Sequence, residues 1–154
     1  MNNFEICKIK KSFYIDHPGL DKEANTKEGR LFFGIIINVN DNHCFVPFET
    51  KLYEHPALKA NSQYDLPSST RPKAGLNFEK CLIINDFKYI EIIENPQIAN
   101  SQYTKLKNEQ DLVKEKLEQY IQKYIAEYKR GYAYKKYIFK YCTLHEFKKE
   151  LGLE

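Results

Sequence analysis

No C-x-x-C pair occurs in the sequence: the four cysteines stand alone at positions 7, 44, 81 and 142. Isolated cysteines begin neither a zinc site nor a dithiol redox motif. They are expected to be reduced and buried, packing as small hydrophobes, and neither a metal nor a cofactor is implied. A long apolar run is also missing. The longest, residues 31–37, falls far short of the roughly 20 apolar residues that cross a bilayer, so no membrane partner is expected. The opening Met-Asn-Asn-Phe-Glu has no basic stretch leading into an apolar one, as a secretory signal would. The cytoplasm is the expected compartment.

Nor is there a strong excess of either charge. A net +3 over 154 residues, with 42% hydrophobic and 29% charged side chains, describes an ordinary globular chain long enough to bury a core. One domain spanning 1–154 is expected. The small surplus is unevenly placed, because residues 1–100 carry twelve basic and thirteen acidic side chains while residues 101–154 carry twelve and eight. It peaks over residues 129–141, where Lys129, Arg130, Lys135, Lys136 and Lys140 alternate with Tyr132, Tyr134, Tyr137, Phe139 and Tyr141 and no acid intervenes. That is a local polyanion signal.

The clearest structural pattern lies in residues 31–48. A run rich in β-branched and aromatic residues, 31–39, is followed by Asn40-Asp41-Asn42 and a second run, 43–48, which predicts a β-hairpin. Both runs are apolar on both faces, so the hairpin should be central, and Pro47 predicts a bulge or an edge near its end. Residues 4–10 are a short extended candidate, and 11–17 form a helical turn or continue the strand to Pro18-Gly19. Residues 20–30 read as loop. Residues 49–77 have no sustained period and include Pro67-Ser-Ser-Thr-Arg-Pro72, predicting a long loop, the kind of segment that carries function. Two further strands, 80–84 and 88–93, are expected to pair with the hairpin. Beyond Pro96 the spacing of Leu106, Val113, Leu117, Tyr120, Ile121, Tyr124, Ile125 and Tyr128 predicts a helix begun by Asn108 and stopped by Gly131. Tyr120, Tyr124, Tyr128 and Tyr132 share a helical face, a spacing typical of core. Residues 128–142 mix Tyr and Lys too irregularly to decide between strand and helix. Thr143-Leu-His-Glu146 has the form of a capping box ahead of a short helix ending at Gly152.

Chemistry gathers just past the hairpin. Glu49-Thr50-Lys51-Leu-Tyr53-Glu-His55 supplies a hydroxyl, an ammonium, a phenol and an imidazole beside a rigid strand end. Cleaving RNA without a metal needs a base for the 2′-hydroxyl, an acid for the departing 5′-oxygen and cations for the charged phosphorane. His55 suits the acid or base role, Lys51 and Arg30 or Arg71 suit the phosphate, with Lys73 nearby, and Thr50 suits a nonbridging oxygen. Glu49-Thr50-Lys51 also fits the E-x-K triplet of metal-dependent nucleases, which needs a second carboxylate that neither hairpin strand carries. His17, His43 and His145 are expected to be structural. From Lys129 onward, lysines alternating with aromatics suit a groove that tracks phosphates and stacks bases, better matched to single-stranded or folded RNA than to B-DNA; no helix-turn-helix or zinc finger is present to read a duplex.

The order of features, from Phe13-Tyr14 through Arg30, Phe33-Gly34-Ile35-Ile36 and Phe45-Val46-Pro47-Phe48 to Ala74-Gly75-Leu76-Asn77-Phe78-Glu79-Lys80 and the terminal Tyr141-Cys142-Thr143-Leu144 and Glu150-Leu151-Gly152, resembles the endoribonuclease toxins of type III toxin-antitoxin systems. These are the ToxN and AbiQ group, and the likeness is greater to the TenpN and CptN branches. It extends over about residues 4–152. The resemblance implies an α+β fold, a strongly twisted antiparallel sheet of half-barrel shape with helices packed on it. It implies a metal-independent RNase leaving a 2′,3′-cyclic phosphate and a 5′-hydroxyl on cellular or phage RNA. It further implies inhibition by a small folded RNA antitoxin, cut from a repeat precursor, in a closed protein–RNA assembly. Carried over residue by residue, Thr50 takes the hydroxyl place, Lys51 the cation, Arg30 the basic residue opening the strand and Tyr14 the early tyrosine. Threonine stands where serine is usual, and Glu49 replaces a neutral or basic residue. The expected site is therefore Thr50, Lys51, His55, Arg30 and Tyr14, with Lys129, Arg130, Tyr132, Lys135, Lys136, Tyr137, Lys140, Arg71 and Lys73 along the RNA. A non-catalytic RNA-binding module and a metal-dependent nuclease using Glu49 and Lys51 are the alternatives.

Overall fold

Two residues in the left-handed region of backbone space organise the sheet. Asn40 and Asp41, with φ of 49° and 67°, make a two-residue turn whose twist matches that of its flanking strands, and short polar side chains tolerate this conformation. In the computed structural model, which describes residues 4–20, 33–96 and 98–154, the turn joins β2 (Phe33–Val39) to β3 (Asn42–Glu49). The register runs from Val39 opposite Asn42 to Gly34 opposite Pro47. Ile35, Ile36, Ile37, Cys44, Phe45 and Val46 are completely buried, so the hairpin is covered on both faces, as its composition predicts.

On one side β1 (Ile6–Ile9) pairs with β2, and β7 (Ile90–Ile92) pairs with β1. On the other, β6 (Leu82–Ile83) takes Cys44 and Phe45 of β3, while β5 (Gly75–Asn77) takes Phe48 and Glu49. β4 (Gln63–Asp65) then pairs with β5. All pairings are antiparallel, in the order β4-β5-β3-β2-β1-β7 with β6 beside β3. The α+β class and the antiparallel sheet are those expected; the sheet does not close into a barrel, β4 and β7 end the row, and β6 pairs with β3 alone among the described residues. Pro47 sits where β3 changes partner from β6 to β5. Counting from the closing pair, Pro47 opposite Gly34 is a non-hydrogen-bonded pair, so its missing N–H faces the gap between β6 and β5 and leaves the β2 ladder intact. Gly34 is required by close approach: a Cβ there would lie 2.1 Å from the Val46 carbonyl oxygen and 2.8 Å from Pro47 Cα.

The helices cover this sheet. The 11–17 segment resolves as α1 (Lys11–Asp16). Residues 49–77 are not a bare loop, because α2 (Pro56–Asn61), β4 and β5 lie within them. Pro56 opens α2 at a position where a missing N–H costs nothing. The expected strand 88–93 pairs with β1 rather than with the hairpin, and both late strands are short because 3₁₀ turns occupy Phe78–Lys80 and Phe87–Tyr89.

The long helix is two: α3 (Asn100–Asn108) and α4 (Gln110–Lys129), with Glu109 between them, so Asn108 ends α3 instead of capping α4. Val113, Leu117, Tyr120, Ile121 and Tyr124 form the buried face of α4. Gly131 (φ 82°) stops it. Its N–H bonds the Tyr128 carbonyl, and that of Tyr132 bonds the Glu127 carbonyl, at 3.0 and 2.8 Å. That is the Schellman pattern, and it carries Tyr132 off the stripe formed by the preceding tyrosines. The undecided stretch is a series of turns leading to α5 (Tyr137–Lys140). Thr143 caps nothing: its hydroxyl is held by the buried carbonyls of Glu79 and Cys81, so the capping box is formal only. All four cysteines are free and buried, and burial pushes the Cys7, Cys44 and Cys142 thiols up to about 12. Among the described residues no helix is long and apolar enough to cross a membrane.

Candidate functional site

Where β3 ends, its last residues and side chains of the 67–72 tract line a cleft of about 740 Å³. Phe33 and Phe48, whose ring centroids are 5.5 Å apart, give it an aromatic wall. Thr50, Ser68, Thr70 and Arg71 give it a wall of hydroxyls and a guanidinium. The tract is held in shape by a tight turn: the Ser68 N–H donates to the Arg71 carbonyl at 3.0 Å, and the Arg71 N–H donates to Ser68 Oγ at 3.1 Å. Gln102 of α3 braces it by donating from Nε2 to the Leu66 carbonyl at 2.7 Å. A cleft lined by such groups can stack a planar ring and hold an anionic oxygen.

Thr50 and Arg71 therefore line the same cleft. Lys51 is exposed and makes no ion pair with a described residue; it follows Thr50 directly but does not line the cleft. Lys73 pairs with Glu54 at 2.9 Å, and its hydrogen bond holds the Glu54 carboxyl below its ordinary range. The Leu52 N–H donates to the Lys73 carbonyl at 2.8 Å, tying the 50s segment to the 70s. Arg30 lies outside the described residues. Tyr14 is buried on α1, away from the cleft lining, and its hydroxyl has no partner among the described residues; burial pushes its ionisation upward.

His55 is exposed and is the N-cap of α2, its Nδ1 accepting the Ala57 N–H at 3.1 Å. While Nδ1 accepts that bond, the neutral ring carries its proton on Nε2. On its face the imidazole meets Tyr137, with centroids 4.3 Å apart. The chain just past β3 and the C-terminal basic tract are thus in contact.

Within that tract, Tyr132, Tyr134, Tyr137 and Tyr141 are each between 44% and 65% exposed, a density of accessible aromatic faces unlike the buried Tyr120 and Tyr124. Arg130 and Lys135 both lie against Tyr132, and Lys140 against Tyr141. Glu127, buried in the last turn of α4, reaches Arg130 at 2.9 Å and Lys136 at 4.0 Å. Lys129, Lys135 and Lys140 have no carboxylate partner among the described residues. His145 closes the far side: its ring stacks on Tyr134 at 4.1 Å, Nε2 meets the Phe139 carbonyl and Nδ1 the Tyr124 hydroxyl, each at 2.7 Å. Burial lowers its pKa from the ordinary 6.5.

The metal alternative would use Glu49, whose Oε1 is engaged by Lys80 at 3.3 Å and by the Asn77 amide at 3.2 Å. Among the described residues no three side chains of metal-ligand type are gathered. Phe33, Phe48, Ser68, Thr70 and Gln102 also line the candidate cleft; the Pro67–Pro72 tract signals Ser68 and Thr70 alone, and Phe33, Phe48 and Gln102 carry no chemical signal in the sequence.

No family model matches this chain, and no curated protein matches it. A solved structure does: that of a bacterial type III toxin-antitoxin system, described as selective toxin inhibition by a non-coding RNA pseudoknot. The likeness covers 76% of this chain and 77% of that one, with a TM-score of 0.58 and 18% identity. The two chains share a fold, the one that the sequence resemblance implies.

Proposed function

We propose that this protein is a metal-independent endoribonuclease, the toxin of a type III toxin-antitoxin system, acting in the cytoplasm on cellular or phage RNA. In the reaction the ribose 2′-oxygen attacks the adjacent phosphorus, the O2′–P bond forms and the P–O5′ bond breaks. The 2′-hydroxyl proton goes to a base and a proton is delivered to the departing 5′-oxygen, leaving a 2′,3′-cyclic phosphate and a 5′-hydroxyl. Its inhibitor is a small folded RNA that it cuts from a repeat precursor and holds in a closed protein–RNA assembly. The observation that carries this reading is the cleft at the end of β3, which Phe33 and Phe48 line together with Thr50 and Arg71. The shared fold with an RNA-inhibited toxin supports it.

In this account Thr50 and Arg71 hold nonbridging phosphate oxygens, joined by Arg30, and Lys51 offsets charge on the phosphorane. Phe33 and Phe48 stack the base of the reacting nucleotide. His55 presents an Nε2–H donor beside the departing oxygen while it caps α2; it transfers a proton only as imidazolium, when Nδ1 gives up the Ala57 amide. Residues 129–141 grip the strand beyond the scissile bond.

The test is incubation with single-stranded RNA in excess EDTA, followed by end-group analysis. Cleavage leaving cyclic phosphate and 5′-hydroxyl termini is expected. Loss of cleavage on chelation would transfer the assignment to the Glu49 and Lys51 nuclease, and binding without cleavage at any protein concentration would leave an RNA-binding module.

A further inference from the structure

Residues 129–141 contain no acid, yet a carboxylate from the last turn of α4 is built into their fold. Glu127 is only 8% exposed and meets the segment at three points. Its backbone carbonyl accepts the Tyr132 N–H at 2.8 Å, its Oε1 accepts an Arg130 guanidinium N–H at 2.9 Å, and its Oε2 lies 4.0 Å from Lys136 Nζ. Oε2 is closed to solvent and accepts no hydrogen bond from a described residue, so Glu127 acts on its own chain and not on a ligand. The cations it faces are open, the Arg130 and Lys136 side chains being 62% and 54% exposed. Arg130 and Lys135 both lie against the Tyr132 ring, at 5.3 and 5.8 Å from its centre. A guanidinium bonded at one nitrogen and laid against a ring still has N–H groups to offer an oxyanion, now in a set direction.

We propose that Glu127 is a positioning residue of the RNA surface, its carboxylate placing Arg130 along Tyr132 and keeping Lys136 close, so that removing this acid weakens polyanion binding. Charge alone predicts the opposite. A negative group beside a polyanion site repels the ligand, and its loss should tighten binding. Two effects reverse the sign. The carboxylate is already offset by the two cations it faces, and salt screens what is left. Ordering a long surface side chain during binding costs affinity, and a side chain held beforehand avoids that cost. The turn itself does not need the Glu127 side chain, because the bonds of Gly131 and Tyr132 that close it go to backbone carbonyls. The inference rests on the RNA reading of residues 129–141 and not on cleavage.

The experiment measures binding of a fluorescent, mixed-sequence 2′-O-methyl octanucleotide, which cannot be cut by 2′-oxygen attack, by anisotropy over a salt series. Two variants remove the charge and keep the side-chain volume: Glu127→Gln retains an acceptor for Arg130, and Glu127→Met does not. Glu127→Met is expected to bind about fivefold more weakly than wild type, with a log–log salt slope flatter by up to about 0.7. Glu127→Gln is expected to keep the wild-type slope and to bind at least as tightly. Thermal unfolding of each chain shows that folded protein is being compared. Arg130→Lys, a change at an exposed side chain, keeps the charge and loses the planar fork; it should weaken binding about as much as Glu127→Met, and wild-type affinity in it would overturn the proposal even if Glu127→Met did not fold. Binding by Glu127→Met as tight as wild type, or tighter, overturns the inference and leaves the RNA reading in place. A wild-type chain that binds no octanucleotide at low salt overturns both.

Discussion

The imidazole of His55 and the phenol ring of Tyr137 lie 4.3 Å apart at 31° to one another. Eighty-two residues separate them in sequence, and their contact joins the cap of α2 to the first turn of α5. It brings His55, one of the candidates past β3, against the basic, tyrosine-rich tract. An exposed ring pair of this kind holds the imidazole in a defined direction, which a free side chain at a strand end would lack.

His55 has two separable roles, cap and donor. Asparagine is a good N-cap but transfers no proton. His55→Asn is therefore expected to keep the wild-type thermal midpoint and to lose about 10²-fold or more in cleavage rate, with His55→Ala losing both. Single-turnover cleavage alongside thermal unfolding checks this. Wild-type cleavage by His55→Asn would reduce His55 to a cap and stacking partner.

The basic tract should contribute unequally to RNA affinity. Lys135 has no carboxylate partner among the described residues, whereas Lys136 faces Glu127 at 4.0 Å. Each lost contact to a single strand lowers the log–log salt slope by about 0.7. Lys135→Ala is expected to flatten the slope by about that amount and Lys136→Ala by less, measured by anisotropy over a salt series. An unchanged slope for both would take the tract out of the interface.

His145 should make the fold sensitive to mild acid. Burial disfavours its charged form, and the neighbouring Lys148 adds to this while Glu146 opposes it. A base with a lowered folded pKa binds protons more readily when unfolded. Its stabilising contribution is therefore complete above the ordinary 6.5 and is lost as pH falls through the lower folded value. Urea unfolding from pH 7.5 downward should show stability falling below about 6.5, and less steeply in His145→Gln. Parallel curves would mean that His145 is not the group responsible.

Gly34→Ala should damage the sheet centre. The added methyl would meet backbone on β3, at 2.1 Å from the Val46 oxygen, and backbone cannot swing aside as a side chain would. A loss of about 3 kcal/mol is expected, read as a lower urea midpoint at unchanged m-value. A midpoint equal to that of wild type would show that β2 and β3 are further apart than described.

The hairpin was legible because Asn40 and Asp41 interrupt two β-branched runs, and such a turn needs little help from the rest of the chain. β4, β5 and α2 were not legible: strands of three residues show no period, and their pairing depends on β3. The break at Glu109 is hidden because Leu106 and Val113 keep a helical spacing across it. Thr143 carries a local cap signal, but distant carbonyls claim its hydroxyl. In the candidate site, Thr50 and Arg71 announce themselves by type. Phe33 and Phe48 read only as strand residues, and their joint exposure to the cleft arises from where β2 and β3 end. Glu127 is invisible to a charge count over 129–141, since it reaches the tract from the preceding helix turn.

In the proposed function, RNA runs from the Thr50–Arg71 cleft across His55 and Tyr137 to the tract ending at Tyr141. Ultraviolet crosslinking to an uncleavable 2′-O-methyl RNA, with the attached peptides identified by mass spectrometry, tests it most directly. Crosslinks are predicted at Phe33 or Phe48 and at Tyr132, Tyr134 or Tyr137. Crosslinks confined to the β7 edge and the Asn40–Asp41 turn would contradict the account.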